Sequence, residues 1–181
     1  MRLAALGFKD VGAAESAFAD MTAGLSRRSR AMQQALPLTL DWLSRSPDPD
    51  LGLRQLRLLL ANTPDHGSLA TLIHTNPVAG ERLCLLLGTG ELLGALLDRI
   101  PEFATKLAAD RPDWDIRDAA GATERLIGLI DSRPDPEEKV GTIRRFTRRR
   151  MLRIAARDIL DSVPAGETTG ALSDTGDAVI A

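Results

Sequence analysis

The sequence predicts an all-α protein, a compact multi-helix array with one long helix in the C-terminal half and no sheet. Three observations predict this fold class. The apolar residues are mostly Leu, Ile and Ala, with no Tyr, two Trp and four Phe among 181 residues, and helices accommodate such residues easily. Helix-capping residues and prolines punctuate the chain at short intervals. Alternating apolar and polar runs bounded by turn residues, which are typical of strands, are missing from the sequence.

Two helices are predicted in the N-terminal quarter of the chain. Asp10 is placed to cap a helix that reaches about Ala23, where Gly24 ends it. The second helix is expected from Ser26 to Ser44, with Pro37 kinking or splitting it because proline removes a backbone donor. We therefore interpret residues 1–46 as leader or connector helices.

Shorter helices are predicted over residues 51–131. Leu51 to Asn62 is amphipathic, because its leucines share one face and its arginines fall outside that face. The helices expected after it, in order, are Ser68 to His74, a helix capped by Asn76 with Pro77 in its first turn, Glu91 to Ile100 capped by Thr89, Pro101 to about Ala109, and Asp118 or Thr123 to Ile130. Tight turns between short helices indicate a compact array.

The longest helix is predicted from Glu137 to about Leu160. Between Lys139 and Arg157 it carries eight positive residues and no negative ones. At 100° per residue, one stripe of this helix collects the side chains that we expect to pack inward, namely Val140, Ile143, Thr147, Met151, Ile154 and Ala155. A final helix is predicted to start near Glu167 or Ser173 and to run to Ala181, and its apolar end leads us to expect that more protein follows.

The arginines of the long helix are the candidate functional residues. Those on the outer side either form a solvated basic face or dock an acidic partner or a nucleotide-bearing domain. Arg150 and Asp158 lie near the apolar stripe, where an unpaired charge is costly, so each is expected to find a partner on a neighbouring helix. The predicted structural or interdomain network is Arg149, Arg150, Arg153, Arg157 and Asp158, and the predicted partner surface is Arg144, Arg145 and Arg148.

No catalytic, cofactor-binding or metal-binding residue is predicted. The glycines from Gly88 to Gly94 lack the preceding strand of a phosphate-binding turn, and Thr89 capping accounts for them better. The carboxylates of Asp174 and Asp177 are interpreted as part of a helix N-cap beginning at Ser173 instead of a metal site. His66 and His74 have no ligand set beside them, so surface or capping roles are expected.

Composition and charge narrow the class of protein further. The net charge is −2 and the pI is about 5.7, whereas broad binding to nucleic acid or anionic membrane needs surplus positive charge. No signal peptide and no apolar run of membrane-spanning length is visible. Cys84 is the single cysteine and lies in an apolar run, which is typical of a buried free thiol in a reducing cytoplasm. We therefore expect a cytoplasmic protein.

Four stretches in order resemble one known family, the bifunctional glutamine synthetase adenylyltransferases and deadenylylases. Residues 144–160 resemble a helix found in each half of those enzymes, and residues 85–102 are similar to the family's upstream signature, which ends in an Arg-x-Pro-Glu step. Residues 167–178 resemble the stretch that leads into a nucleotidyltransferase domain. Residues 6–43 are similar to the start of the second half in actinobacterial members.

The resemblance implies a cytoplasmic enzyme that transfers AMP from ATP to a tyrosine of glutamine synthetase, removes it again, and so controls nitrogen assimilation. ATP and Mg²⁺ are implied for the intact enzyme, and the Gly-rich strand and paired aspartates that use them are expected downstream of Ala181. On this interpretation residues 136–181 lead into the missing catalytic domain, and the chain alone is inactive. Implied partners are that nucleotidyltransferase domain, glutamine synthetase and, as a further candidate, the PII signal protein.

Two alternatives remain at the level of the sequence. One is a stand-alone helical adaptor whose basic helix binds an acidic protein. The other is a nucleic-acid binder that uses the arginines from Arg144 to Arg157, which the overall acidic charge disfavours.

Overall fold

The computed structural model describes residues 3–63 and 66–181, with residues 66–68 described by their backbone alone. Helices account for most of these residues and no strand occurs among them, so the all-α prediction is confirmed. The α-helices are α1 Val11–Thr22, α2 Arg27–Ser44, α3 Pro49–Asn62, α4 His66–Thr75, α5 Pro77–Thr89, α6 Glu91–Arg99, α7 Ala119–Ile130, α8 Pro136–Asp161 and α9 Ala165–Ile180. Two 3-10 segments, Leu3–Leu6 and Pro101–Ala108, accompany them.

The chain divides into two compact units. We call the unit that ends at Pro112 the N-terminal unit and the unit Asp113–Ala181 the C-terminal unit. Our subdivision of the sequence into 1–46, 51–131 and 136–181 concerns the organisation of a larger protein and stays a prediction. Within the described residues, no helix combines the length and the apolar character needed to cross a membrane.

Helix α5 is the centre of the N-terminal unit, where it contacts α2, α3, α4, α6 and the second 3-10 segment. Its buried leucines are surrounded by apolar side chains of the neighbouring helices. At Gly80 the Trp42 ring of α2 comes so close that a Cβ on Gly80 would lie 2.4 Å from a ring carbon. Burial and the nearby negative charge of Glu81 raise the pKa of the Cys84 thiol to about 12, as expected for an inert thiol.

Two predicted caps, Asp10 and Asn76, are confirmed, and Asp118 is the correct one of the two predicted starts of its helix. The side chains of Asp10, Asn76 and Asp118 each accept a hydrogen bond from the backbone N–H three residues later, at 2.9 Å in every case. Helices α3 and α4 begin two residues earlier than predicted. For α3 the reason is that Asp48 caps the helix by accepting from the Leu51 N–H at 2.9 Å, which places Pro49 in the first turn.

Two other predicted caps are wrong. Thr89 closes α5 instead of opening α6, because its hydroxyl donates to the Leu85 carbonyl at 2.7 Å. Gly90 then begins α6 without a side-chain cap. Ser173 and Asp174 lie in the interior of α9, which starts upstream at Ala165 directly after Pro164. The Asp174 and Asp177 carboxylates are therefore not at a helix N-terminus.

The C-terminal unit consists of α7, α8 and α9, and each of these helices contacts the other two. Helix α8 has 26 residues and is the longest helix described, as predicted. Its predicted inward stripe is confirmed only in part: Ile154 is 3% exposed, Val140 is 46% exposed, and the other four residues, Ile143, Thr147, Met151 and Ala155, are half-buried. Because α8 packs against two helices, its buried residues spread over a broad arc and include Thr142, Leu152 and Ala156.

Candidate functional site

Arg150 is a buried arginine in the middle of α8, with 5% of its surface exposed. Its Nε donates to the Thr175 hydroxyl of α9 at 2.6 Å, and its Nη2 donates to the Arg117 backbone carbonyl. The Thr175 hydroxyl donates in turn to the Ala171 carbonyl at 2.7 Å. Arg150 therefore joins α8 to α9 and to the segment that precedes α7, through neutral oxygen atoms.

Several charges act on this guanidinium. Burial lowers the pKa of Arg150 from its ordinary value, and the positive charge of Arg153 acts in the same direction. The carboxylates of Asp174, Asp115 and Asp118 raise the pKa and so oppose that effect. Asp174, which lies on α9, thus serves as part of the electrostatic surroundings of Arg150.

Asp115 holds two further arginines. Its Oδ2 lies 3.2 Å from Nη1 of Arg153 on α8, and its Oδ1 lies 3.2 Å from Nε of Arg117. The residue has a left-handed backbone with φ of 46°, which aspartate tolerates better than most residues. Its own N–H donates to the Asp113 carboxylate at 2.9 Å. A tight local turn therefore presents the Asp115 carboxylate to both arginines.

The C-terminal end of α8 makes a second set of contacts. Arg157 forms an ion pair with Glu167 of α9, and the Thr168 hydroxyl donates to the Asp158 carboxylate at 2.6 Å. The Trp114 indole N–H donates to the Asp161 carboxylate at 2.6 Å. The bonds of Arg150, Arg157 and Asp158 therefore connect α8 to α9, and the bond of Asp161 connects α8 to the segment that precedes α7.

The other predicted residues lie on the outer part of α8. Arg144, Arg145 and Arg149 are exposed and Arg148 is half-buried. Arg145 donates to the Thr142 hydroxyl at 2.8 Å. The structure thus brings Arg150, Arg153, Arg157 and Asp158 into contact with neighbouring segments, whereas Arg144 and Arg148 lie apart from these contacts.

Helices α7 and α8 enclose a cleft of about 220 Å³ that we call the arginine cleft. Asp115 is the one carboxylate among the described residues of its lining, and seven arginines accompany it, namely Arg117, Arg125, Arg133, Arg145, Arg149, Arg150 and Arg153. Phe146, Leu129 and Ala122 contribute apolar surface. Arg117, Arg125 and Arg133 are not predictable as site residues from the sequence, because no local pattern links them to α8.

No cluster of three or more His, Cys, Asp or Glu side chains able to hold a metal ion occurs in the part of the chain that the structure describes. His74 is exposed near the end of α4. The side chain of His66 lies outside the described residues.

Comparison with known proteins gives consistent matches. The family model for glutamate-ammonia ligase adenylyltransferase matches residues 80–181. Similar proteins include the bifunctional glutamine synthetase adenylyltransferase/adenylyl-removing enzymes of Streptomyces avermitilis, 34% identical over 96% of this chain, and of Mycolicibacterium smegmatis, 36% identical over 88%. The corresponding protein of Mycobacterium tuberculosis is 32% identical over 99% of the chain.

The chain spans a small part of these relatives. It covers 18% of the length of the Streptomyces and Mycobacterium tuberculosis proteins and 16% of the Mycolicibacterium protein. No solved structure matches the chain significantly.

Proposed function

Because this chain belongs to the glutamate-ammonia ligase adenylyltransferase family, we propose that it is a non-catalytic helical region of an enzyme that adenylylates and deadenylylates glutamine synthetase. The observation that carries the proposal is the family match over residues 80–181, together with relatives that are named as bifunctional enzymes of this kind. In that enzyme AMP is transferred from ATP to a tyrosine of glutamine synthetase and later removed, in the cytoplasm.

The described residues of this chain do not fit a catalytic site for Mg²⁺ and ATP. Nucleotidyl transfer needs carboxylates that converge on the metal ion. Of the acidic pair on α9, Asp174 acts on Arg150, and no converging ligand set occurs within the described ranges 3–63 and 66–181. We therefore assign the chemistry that Mg²⁺ and ATP supply to a nucleotidyltransferase domain elsewhere in the same polypeptide.

The role that we propose for the C-terminal unit is to hold that domain in position. Arg150, Arg157 and Asp158 bond α8 to α9, and Arg153 bonds it to Asp115. A helix that is attached at several points can act as a rigid mount, because its side chains keep fixed relative positions. We propose Arg149, Arg150, Arg153, Arg157 and Asp158 as this structural network.

Three arginines on the outer part of α8 are proposed as the surface that meets partners. Arg144, Arg145 and Arg148 would contact acidic patches of the nucleotidyltransferase domain or of glutamine synthetase, and the PII signal protein is a further candidate. Membrane and nucleic acid are not among the partners that we propose.

An assay of AMP transfer tests the non-catalytic assignment. The purified chain is incubated with radiolabelled ATP, Mg²⁺ and glutamine synthetase, and we expect no label on glutamine synthetase. A full-length relative serves as the positive control. Labelling by the chain at a level that survives further purification would overturn the assignment.

Binding measurements test the partner surface. Immobilised glutamine synthetase and PII are titrated with the chain, and the Arg144→Glu/Arg148→Glu variant is expected to bind the true partner at least about tenfold more weakly, with loss of salt dependence. The matched control is Arg27→Glu/Arg30→Glu, which reverses two exposed charges on α2. Equal binding by both variants, or tighter binding to DNA than to either protein, would contradict the proposal.

A further inference from the structure

The arginine cleft of the C-terminal unit has an unusual charge balance. Seven arginines line about 220 Å³, and Asp115 is the one carboxylate among the described lining residues. Both oxygens of Asp115 are already engaged, one by Arg117 and the other by Arg153. The charges of Arg125, Arg133 and Arg145 are therefore not neutralised by Asp115.

Three of the arginines stand out because they come from different segments. Arg125 lies on α7, Arg133 lies between α7 and α8, and Arg145 lies on α8. None of the three forms an ion pair with a described residue, although Asp135, Glu137 and Glu138 border an adjacent depression with Arg133 and Arg145. Like charges gathered in a concave site repel one another, so a bound anion would relieve that repulsion.

We propose that the arginine cleft binds an oligophosphate, either free or as the phosphate chain of a nucleotide. The planar guanidinium fork matches the spacing of phosphate oxygens and donates two hydrogen bonds at once. Several arginines around one small volume favour a ligand with a high density of negative charge. A chain of phosphates has that density, whereas an acidic peptide, whose carboxylates are spaced farther apart, does not. Of the three residues of the proposed partner surface, Arg144 and Arg148 do not line the cleft, whereas Arg145 belongs to both.

The size of the cleft fits the same ligand class. Pockets for drug-sized molecules have volumes of about 300–1,000 Å³, so a cleft of about 220 Å³ suits a compact phosphate chain better than a complete larger ligand. Phe146 lies half-buried in the lining. Its ring provides a face on which the base of a nucleotide could stack outside the phosphates.

Calorimetric titration with sodium tripolyphosphate tests the site. The full 181-residue chain is titrated without divalent metal at about physiological ionic strength, where exposed charges are largely screened. We expect saturable binding with one site per chain and a rise in melting temperature as the ligand concentration increases. No binding under these conditions would overturn the proposal.

Neighbouring arginines on α8 provide the matched pair of variants. Arg145→Ala and Arg125→Ala should each weaken tripolyphosphate binding at least about tenfold. Arg144→Ala, which removes the adjacent positive charge outside the cleft, should change it less than about twofold. Arg145→Lys keeps the charge but loses the fork, and it should bind more weakly than the wild type while its circular dichroism spectrum is unchanged. Equal effects of Arg144→Ala and Arg145→Ala would show that the cleft is not the site.

Two further ligands identify the source of the phosphate chain. ATP that binds more tightly than tripolyphosphate, with the difference lost in Phe146→Ala, would assign the site to a nucleotide. Equal affinities would assign it to free oligophosphates. A poly-glutamate peptide that binds more tightly than tripolyphosphate and displaces it from the cleft would overturn the proposal in favour of an acidic protein partner. None of these measurements involves glutamine synthetase, so their outcome is independent of the partner-surface experiment.

Discussion

At the scale of single residues, Arg150 shows how a charge can be kept inside a small three-helix unit. Its nitrogens donate to Thr175 and to the Arg117 carbonyl, so part of its lost hydration is replaced by fixed oxygen atoms. The charges of Asp174 and Asp115 favour the protonated form that donates these bonds. Arg150 is therefore expected to matter for stability, whereas the arginines on the outside of α8 are not.

Replacing Arg150 by Ala should lower the free energy of unfolding by about 2 kcal/mol or more, because the Thr175 hydroxyl and the Arg117 carbonyl lose their partner. The control, Arg144→Ala, removes an exposed arginine from the same helix and should change stability by less than about 0.5 kcal/mol. Urea denaturation of both variants measures the difference. Small and equal losses would mean that Arg150 is effectively solvated.

Gly80 allows a second test at this scale. Gly80→Ala should destabilise the N-terminal unit by about 1–3 kcal/mol, because the new methyl group would overlap the buried Trp42 ring. Gly170→Ala is the matched control, since no atom lies within 4 Å of the Cβ position in α9, and helix propensity predicts a gain of up to about 1 kcal/mol. Thermal melts of the two variants should therefore shift in opposite directions, and a melting temperature that does not fall in Gly80→Ala would refute the close contact.

At the scale of elements, α8 owes its position to contacts with both α7 and α9. On this helix Ile154 is buried, whereas Val140 near the start of the helix is largely exposed. The two positions have β-branched apolar side chains of similar size but very different surroundings. They can therefore separate the effect of burial from the effect of helix propensity.

Ile154→Asp should destabilise the C-terminal unit by about 3 kcal/mol or more, because it buries a carboxylate without a partner. Val140→Asp places the same group on an exposed turn and should cost less than about 1 kcal/mol. Hydrogen exchange of the α7 and α9 amides measures the loss within this unit. Unchanged protection in Ile154→Asp would mean that this residue does not belong to the packed core.

The helix caps show which structural features can be predicted from the sequence. Asp10, Asn76 and Asp118 are recognisable as caps because a cap is a local interaction between a side chain and an N–H three residues away. The prediction that Thr89 caps α6 is wrong because its hydroxyl donates to a competing local acceptor, the Leu85 carbonyl. The prediction of a cap at Ser173 is wrong because α9 already begins at Ala165.

The faces of α8 could not be predicted from periodicity alone. The apolar residues form a stripe in the sequence, but the buried arc is set by where α7 and α9 lie, and it includes the charged Arg150. The arginine cleft was missed for the same reason. Arg125 and Arg133 line the same cleft as Arg145 because α7 packs against α8. Such contacts between helices leave no local pattern in the sequence.

At the scale of the whole molecule, α9 completes the C-terminal unit. It provides Thr175 for Arg150, Glu167 for Arg157 and Thr168 for Asp158. It also contributes the buried side chains of Ala171 and Ala178. The basic helix α8 thus depends on a segment that follows it in the chain.

A chain that ends at Asp161 should therefore lose the native structure of the C-terminal unit. Removal of α9 leaves Arg150 without its hydroxyl partner and exposes apolar side chains of α7 and α8. Hydrogen exchange should show loss of protection in α7 and α8 relative to the full chain. Protection that remains at the level of the full chain would mean that α7 and α8 form a stable pair on their own.

The position of the two tryptophans has a practical consequence for spectroscopy. The chain has no tyrosine, and Trp42 and Trp114 are both buried, one in each compact unit. Trp42→Phe leaves an emission signal that comes from the C-terminal unit alone, and Trp114→Phe leaves one from the N-terminal unit. The melting of each unit can then be followed separately by intrinsic fluorescence, with no added label.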